Sequence, residues 1–303
     1  MKTIRLSLLT LLLLQALLPA LGQPPSSAIE KEYTAPLAKI FALQPQIAPL
    51  NPVFKKVYPV AIVEDKTFYI FEPAPEEKAY RLVHTAPDPY NIPRGVRAAM
   101  PLGFWGNRTA CVVSGEVFDQ PDGYVLIFHE FVHCAQAECC EQKLKEKLSI
   151  YKSAMKTQDY MWELQYPFPY TDAAFVRMYT SLLSGLDRQD ASQAEALRNE
   201  LKKSLRPADW EYMTWQEWKE GLARYLENRI RRTLGLAENI GGEEKPYSRV
   251  TFYRGGDALI RLLERQHPGI TANMEELYRM ISLSPENNPP PAPGAVPAHR
   301  RVR

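Results

Sequence analysis

An α+β fold is the class this sequence predicts, on three observations. Strand-like runs are confined to the first 118 residues, helix-period runs fill the chain beyond Gly123, and no strand-like run returns among those helices. Of the 303 residues 45% are hydrophobic and 24% charged, a balance that suits a folded soluble protein and excludes wholesale disorder. Acidic and basic residues number 35 and 37, and removing Lys2 and Arg5 with the leader described next leaves them equal. That neutrality argues against a nucleic-acid partner.

Lys2 and Arg5 precede an apolar run, Leu6 to Leu18, and Pro19 then ends it before the small residues Ala20 and Gly22. Residues 1–22 therefore read as a signal peptide, and the protein is expected to be secreted or periplasmic. The run is shorter than the ~20 apolar residues of a bilayer span, so no stable membrane span is expected after cleavage. Residues 23–283 are expected to form one domain, strand-rich over 54–118 and helical over 121–283.

Within it, Gln23 to Val53 shows scattered prolines between short apolar groups. Val57 to Val63 and Thr67 to Phe71 alternate as two strands around Glu64-Asp65-Lys66, a hairpin turn. Ala110 to Phe118 reads as the last strand and ends at Asp119-Gln120-Pro121-Asp122-Gly123. Helices follow over Tyr124 to Met155, Thr171 to Leu186, Ala191 to Leu205, Thr214 to Leu234 and Gly255 to Gln266. The Pro-rich, basic residues 284–303 read as a disordered tail.

Four cysteines, Cys111, Cys134, Cys139 and Cys140, could form two bridges by three connectivities in an oxidising compartment. The adjacency of Cys139 and Cys140 argues against a bridge between them, so a staple to Cys111 is the expected role. The spacing of Cys134, Cys139 and Cys140 matches no closed zinc module. Asn107-Arg108-Thr109 is a glycosylation sequon.

The chemistry centres on His129-Glu130-Phe131-Val132-His133, an HExxH pattern inside a helix-period run. Residues four apart share a helix face, so both imidazoles can bind one zinc ion while Glu130 reaches a water on it. Such a site needs a third ligand. A second segment, Trp218-Lys219-Glu220-Gly221-Leu222-Ala223, and a third, Phe252-Tyr253-Arg254-Gly255-Gly256, lie downstream.

With these three segments the chain resembles the gluzincin metallopeptidases, most closely their aminopeptidase branch. That branch reads Trp, any residue, Asn, Glu, Gly, aromatic, Ala around its glutamate ligand. Trp218, Glu220, Gly221 and Ala223 fit after closing one position. The resemblance implies Glu220 as third ligand and Tyr253 as the hydroxyl that stabilises the oxyanion. Glu217 and Glu227 are physical competitors for the ligand role, Tyr225 is the reserve tyrosine, and a helix start whose tyrosine merely packs is the plain alternative for Tyr253.

The chain departs from that branch in two ways. The His133–Glu220 connection holds 86 residues, which implies helical insertions, and Met100 to Glu116 carries no motif for gripping a free amino terminus. Metzincins need Gly and then His or Asp where this chain has Gln136 and Cys139. His84 and His267 are left outside the site.

The expectation is a zincin-like, secreted zinc metallopeptidase acting on peptide or protein substrates. His129, His133 and Glu220 hold one Zn2+, Glu130 serves as general base to zinc-bound water, and Tyr253 binds the oxyanion. The strand Ala110 to Phe118 is expected to be the antiparallel edge strand that pairs with substrate. The alternatives are a secreted zinc-binding interaction protein without catalysis, and hydrolysis of a non-peptide amide or a cell-wall cross-link.

Overall fold

The computed structural model describes residues 26–283; the segments read above as a signal peptide and as a disordered Pro-rich tail lie outside the described residues. The architecture is α+β, with five strands between positions 60 and 114 and helices on either side in sequence. Among the described residues no helix is long and apolar enough to cross a membrane.

The described residues begin with a helix where only scattered prolines were legible. Helix α1 (Ser26–Ile47) contains Pro36 and Pro45, yet Ile29, Tyr33, Leu37, Ile40 and Phe41 recur at helical spacing and are buried. An apolar stripe packed on a sheet outweighs the poor helix propensity of proline. Strands β1 (Val60–Glu64) and β2 (Thr67–Ala74) form the expected hairpin, with Glu64 opposite Thr67 and positive φ at both turn residues, Asp65 and Lys66.

Two strands had no clear sequence signal: β3 (Ala79–Pro87), whose inward side chains are mostly only half-buried, and β4 (Arg97–Leu102), which is built on Ala and Pro. Strand β5 (Arg108–Ser114) stops four residues short of Phe118. Its continuation coils into a 3₁₀ turn because Gly115 donates its N–H to Glu64 Oε1 at 2.9 Å rather than to a neighbouring strand.

The sheet order is β3-β2-β1-β5-β4. Strands β1 and β5 are parallel and the other three pairings antiparallel. This corrects the expected role of Ala110 to Phe118. Strand β5 is internal, hydrogen-bonded on both sides, and the antiparallel edge beyond it is β4.

One face of the sheet, through Val60, Ile62, Phe71, Cys111 and Val113, packs on α1 and the later helices. The other face, through Ala61, Val63, Phe68, Ile70 and Val112, is covered by Ile92, Val96, Phe104 and Trp105 from the segments on either side of β4.

The expected helix from Tyr124 to Met155 is three helices: α2 (Pro121–Cys139), α3 (Glu141–Lys145) and α4 (Ser149–Thr157). The breaks fall at Cys140, with φ −157° and ψ −12°, and at Leu148, which is extended. After the short α5 (Trp162–Gln165) come α6 (Ala173–Asp187), α7 (Ala191–Ser204), α8 (Pro207–Thr233), α9 (Arg249–Gln266) and α10 (Met274–Ser282). Helix α8 starts seven residues before the expected Thr214, because Pro207 suits the first helical turn.

The four cysteines are free thiols, and the expected bridge to Cys111 is not formed. Cys111 is buried in β5, whereas Cys139 and Cys140 end α2 against α10.

Candidate metal centre

Helix α2 is buried on almost every side because it lies between the sheet and α8. Phe128, Phe131, Val132 and Ala135 fill the core around it and leave the face of His129 and His133 towards α8. The helical period then does what the spacing predicts. Nε2 of His129 and Nε2 of His133 stand 3.2 Å apart, and Glu220 Oε2 on α8 lies 3.4 Å from His133 Nε2 and 3.9 Å from His129 Nε2. Tetrahedral ligand atoms at zinc bonds of about 2.0–2.1 Å stand about 3.3 Å apart, so the spacing fits a single zinc ion.

The hydrogen bonds behind the ligands make the same case. His129 Nδ1 is 3.0 Å from Glu227 Oε2, and His133 Nδ1 is 2.8 Å from Gln136 Oε1. Gln136 Nε2 donates to the Lys219 carbonyl at 3.1 Å, which turns its amide oxygen towards the imidazole. Each Nδ1 therefore donates, and each Nε2 turns a lone pair towards the other and towards a carboxylate. Three acceptors converging in a buried site are stable only around a cation or a proton. Burial opposes charge on His133, but Glu220 and Glu130 outweigh it and lift its pKa to about 9. Burial likewise pushes the Glu220 carboxyl up, and the two histidines and Arg249 more than reverse it, leaving Glu220 ionised.

Glu227, a competitor for the third ligand, is the partner of His129 instead. Its other oxygen accepts from Arg231 Nε at 2.8 Å and Asn239 Nδ2 at 3.1 Å. Burial would raise its carboxyl, but the bonds from His129 and Arg231 hold it at about 2. Glu217, the other competitor, is turned away, accepting from Tyr179 at 2.9 Å and Arg198 at 2.8 Å.

Glu130 is buried, and its charge is felt at both histidines' positions and at Cys111 and Cys134. Among the described residues no donor pairs with its carboxylate. Burial raises its pKa, opposed in part by the histidines, which makes it a stronger base than an exposed carboxylate.

Tyr253 on α9 also reaches the centre. Burial raises its hydroxyl well above the usual tyrosine range, and the adjacent Glu220 carboxylate raises it further. The guanidiniums of Arg249 and Arg224 lie 5.3 and 5.6 Å from its ring. Tyr225 instead faces the charged groups of Arg229, Glu264 and Arg261, away from the histidines. His84 sits in β3 over Phe104, and His267 caps the end of α9.

The two glycine motifs have a mechanical explanation. A Cβ on Gly256 would stand 2.3 Å from the Glu217 carbonyl and 2.7 Å from Gly221 Cα. Helices α8 and α9 thus cross glycine on glycine, which sets Tyr253 where the Glu220 carboxylate acts on its hydroxyl. Sequence reasoning missed Gln136, Glu227 as an orienting residue, and Arg249, whose Nη1 is 3.7 Å from Glu220 Oε1. The spacing of Gln136, three residues past His133, was the one available signal, since i,i+3 side chains meet on a helix.

No family model, no curated protein and no solved structure matches the chain.

Proposed function

We propose that the chain is a secreted zinc-dependent metallopeptidase, with a zincin-like domain of gluzincin type. One observation carries the reading: His129 Nε2, His133 Nε2 and Glu220 Oε2 converge in a buried site at separations of 3.2, 3.4 and 3.9 Å. Zinc held there would supply a Lewis acid that brings the pKa of water towards ~7 and polarises a carbonyl.

The chain's own groups supply the rest. Glu130, unpaired and made more basic by burial, takes the proton from the attacking water and passes it to the leaving amine. The Tyr253 hydroxyl, kept protonated by its surroundings, donates to the developing oxyanion. Edge strand β4 offers its free backbone to an extended peptide. Its Ala99 pairs with Cys111 of β5, and both strands pack on α2, the helix that carries the base.

The test is metal content by mass spectrometry alongside hydrolysis of casein, short peptides and cell-wall fragments. Wild type should hold about one zinc per chain and Glu220→Ala should lose it. Glu130→Gln should keep zinc while hydrolysis falls about 10²–10⁴-fold. Wild-type rates in Glu130→Gln would overturn the general-base role. Zinc without hydrolysis in wild type would favour the interaction protein, and cleavage of cell-wall fragments alone would replace peptide bonds as the target.

A further inference from the structure

Helix α2 ends in two adjacent cysteines. The backbone of Cys140 leaves the helix, with its N–H still bonded to the Gln136 carbonyl at 3.1 Å. Cys139 is exposed and Cys140 buried beside it. A third sulfur comes from a distant part of the chain: the Met274 thioether lies 3.8 Å from Cys139 Sγ. All three line one open cleft of about 700 Å³, between the end of α2 and the start of α10.

We propose that Cys139, Cys140 and Met274 form a second metal site, which takes a soft monovalent cation such as Cu(I). A thioether carries neither charge nor proton and is a poor ligand for hard cations, and thiolates with a thioether select Cu(I). Three sulfurs placed trigonally at a metal–thiolate distance of roughly 2.3 Å stand about 4 Å apart, close to the observed contact.

The framework holds this arrangement in place. Trp218 Nε1 on α8 donates to the Met274 carbonyl at 2.9 Å, and Asn273 caps α10 through Glu276 N at 3.1 Å. The neighbouring Cys140 thiol lowers the Cys139 thiol pKa against the opposing effect of burial, which favours one thiolate. Glu275 lies near both thiols, with its carboxylate shared by Lys143 at 2.7 Å. Binding displaces the remaining thiol proton to solvent and changes no oxidation state.

This site is separate from the histidine centre. Cys139 is six residues past His133, about 9 Å along the helix. Cys139 is exposed at this cleft, whereas Cys140, like Cys111 and Cys134, is buried and has its thiol raised.

The experiment is an anaerobic Cu(I) titration of the reduced, zinc-loaded full chain against bicinchoninate, with near-ultraviolet absorption reporting sulfur-to-copper charge transfer. Wild type should withdraw about one Cu(I) per chain. Cys139→Ser should abolish this, and Met274→Leu should weaken it about tenfold or more with the thermal transition little changed. Glu220→Ala, which strips the zinc site, should bind Cu(I) like wild type, so the two readings fail separately. Failure of wild type to compete with the chelator would overturn the proposal. So would wild-type affinity in both sulfur variants, or recovery of Cys139 and Cys140 only as a disulfide.

Discussion

Helix α2 and the α8–α9 pair both build the candidate metal centre, but by different means. Helix α2 brings His129, Glu130 and His133 from five consecutive residues, and their relation follows from the helical period alone. Helices α8 and α9 bring Glu220 and Tyr253 from two separate elements, whose relation depends on a crossing that only Gly221 and Gly256 permit. A local motif survives wherever its helix sits. A site closed by a helix crossing is only as good as the crossing.

The supports behind the two histidines repeat the contrast. His133 rests on Gln136, a neutral amide from its own helix, and His129 on Glu227, a buried carboxylate on α8 tied to Arg231 and Asn239.

The largest test of the comparison is Gly256→Ala. Its methyl would meet the Glu217 carbonyl at 2.3 Å, so α8 and α9 must separate, at about 1–3 kcal/mol of stability. Zinc and hydrolysis should both suffer, although no group of the site is altered. Thermal denaturation with metal analysis would show it, and an unchanged zinc stoichiometry with full activity would break the argument that the crossing assembles the site.

Next in size is Glu227→Gln, which removes the charged support of His129 and leaves Arg231 without its buried partner. Zinc affinity should fall about 10–100-fold. Gln136→Ala should sit at the low end of that range, about tenfold, because a neutral hydrogen bond is lost and no charge is stranded. Chelator competition on the two variants ranks them, and equal losses would erase the distinction between the two supports.

The smallest effect is a single proton. In the metal-free protein His133 has its pKa raised to about 9, so it is protonated at neutral pH and zinc must displace that proton. Affinity should therefore rise with pH up to about 9 and level off above it. Calorimetry at neutral pH in buffers of different ionisation enthalpy should report about one proton released per zinc. No release at all would mean the three acceptors do not share a proton in the empty site.

Much of the fold was legible where the chain repeats a period. The Glu64-Asp65-Lys66 turn and the helices beginning near Ala173 and Ala191 lie close to where alternation and helical spacing put them. Helix α1 was hidden by its prolines, whose local cost the buried stripe from Ile29 to Phe41 outweighs. Strands β3 and β4 were hidden because edge strands are only half-buried and need no strong alternation. The assignment of β5 as an edge went wrong for a related reason, since strand order leaves no mark on the strand's own residues.

By itself the sequence determined that two imidazoles and a carboxylate lie on neighbouring positions of one buried helix, because a helix converts spacing into direction. Only the tertiary structure decided among Glu217, Glu220 and Glu227. All three sit on roughly one face of α8, and what separates them is what each meets: Arg198 and Tyr179, the two Nε2 atoms, or His129 Nδ1. Those partners come from α2, α6 and α7, and long-range packing, not local spacing, chooses which carboxylate faces which helix.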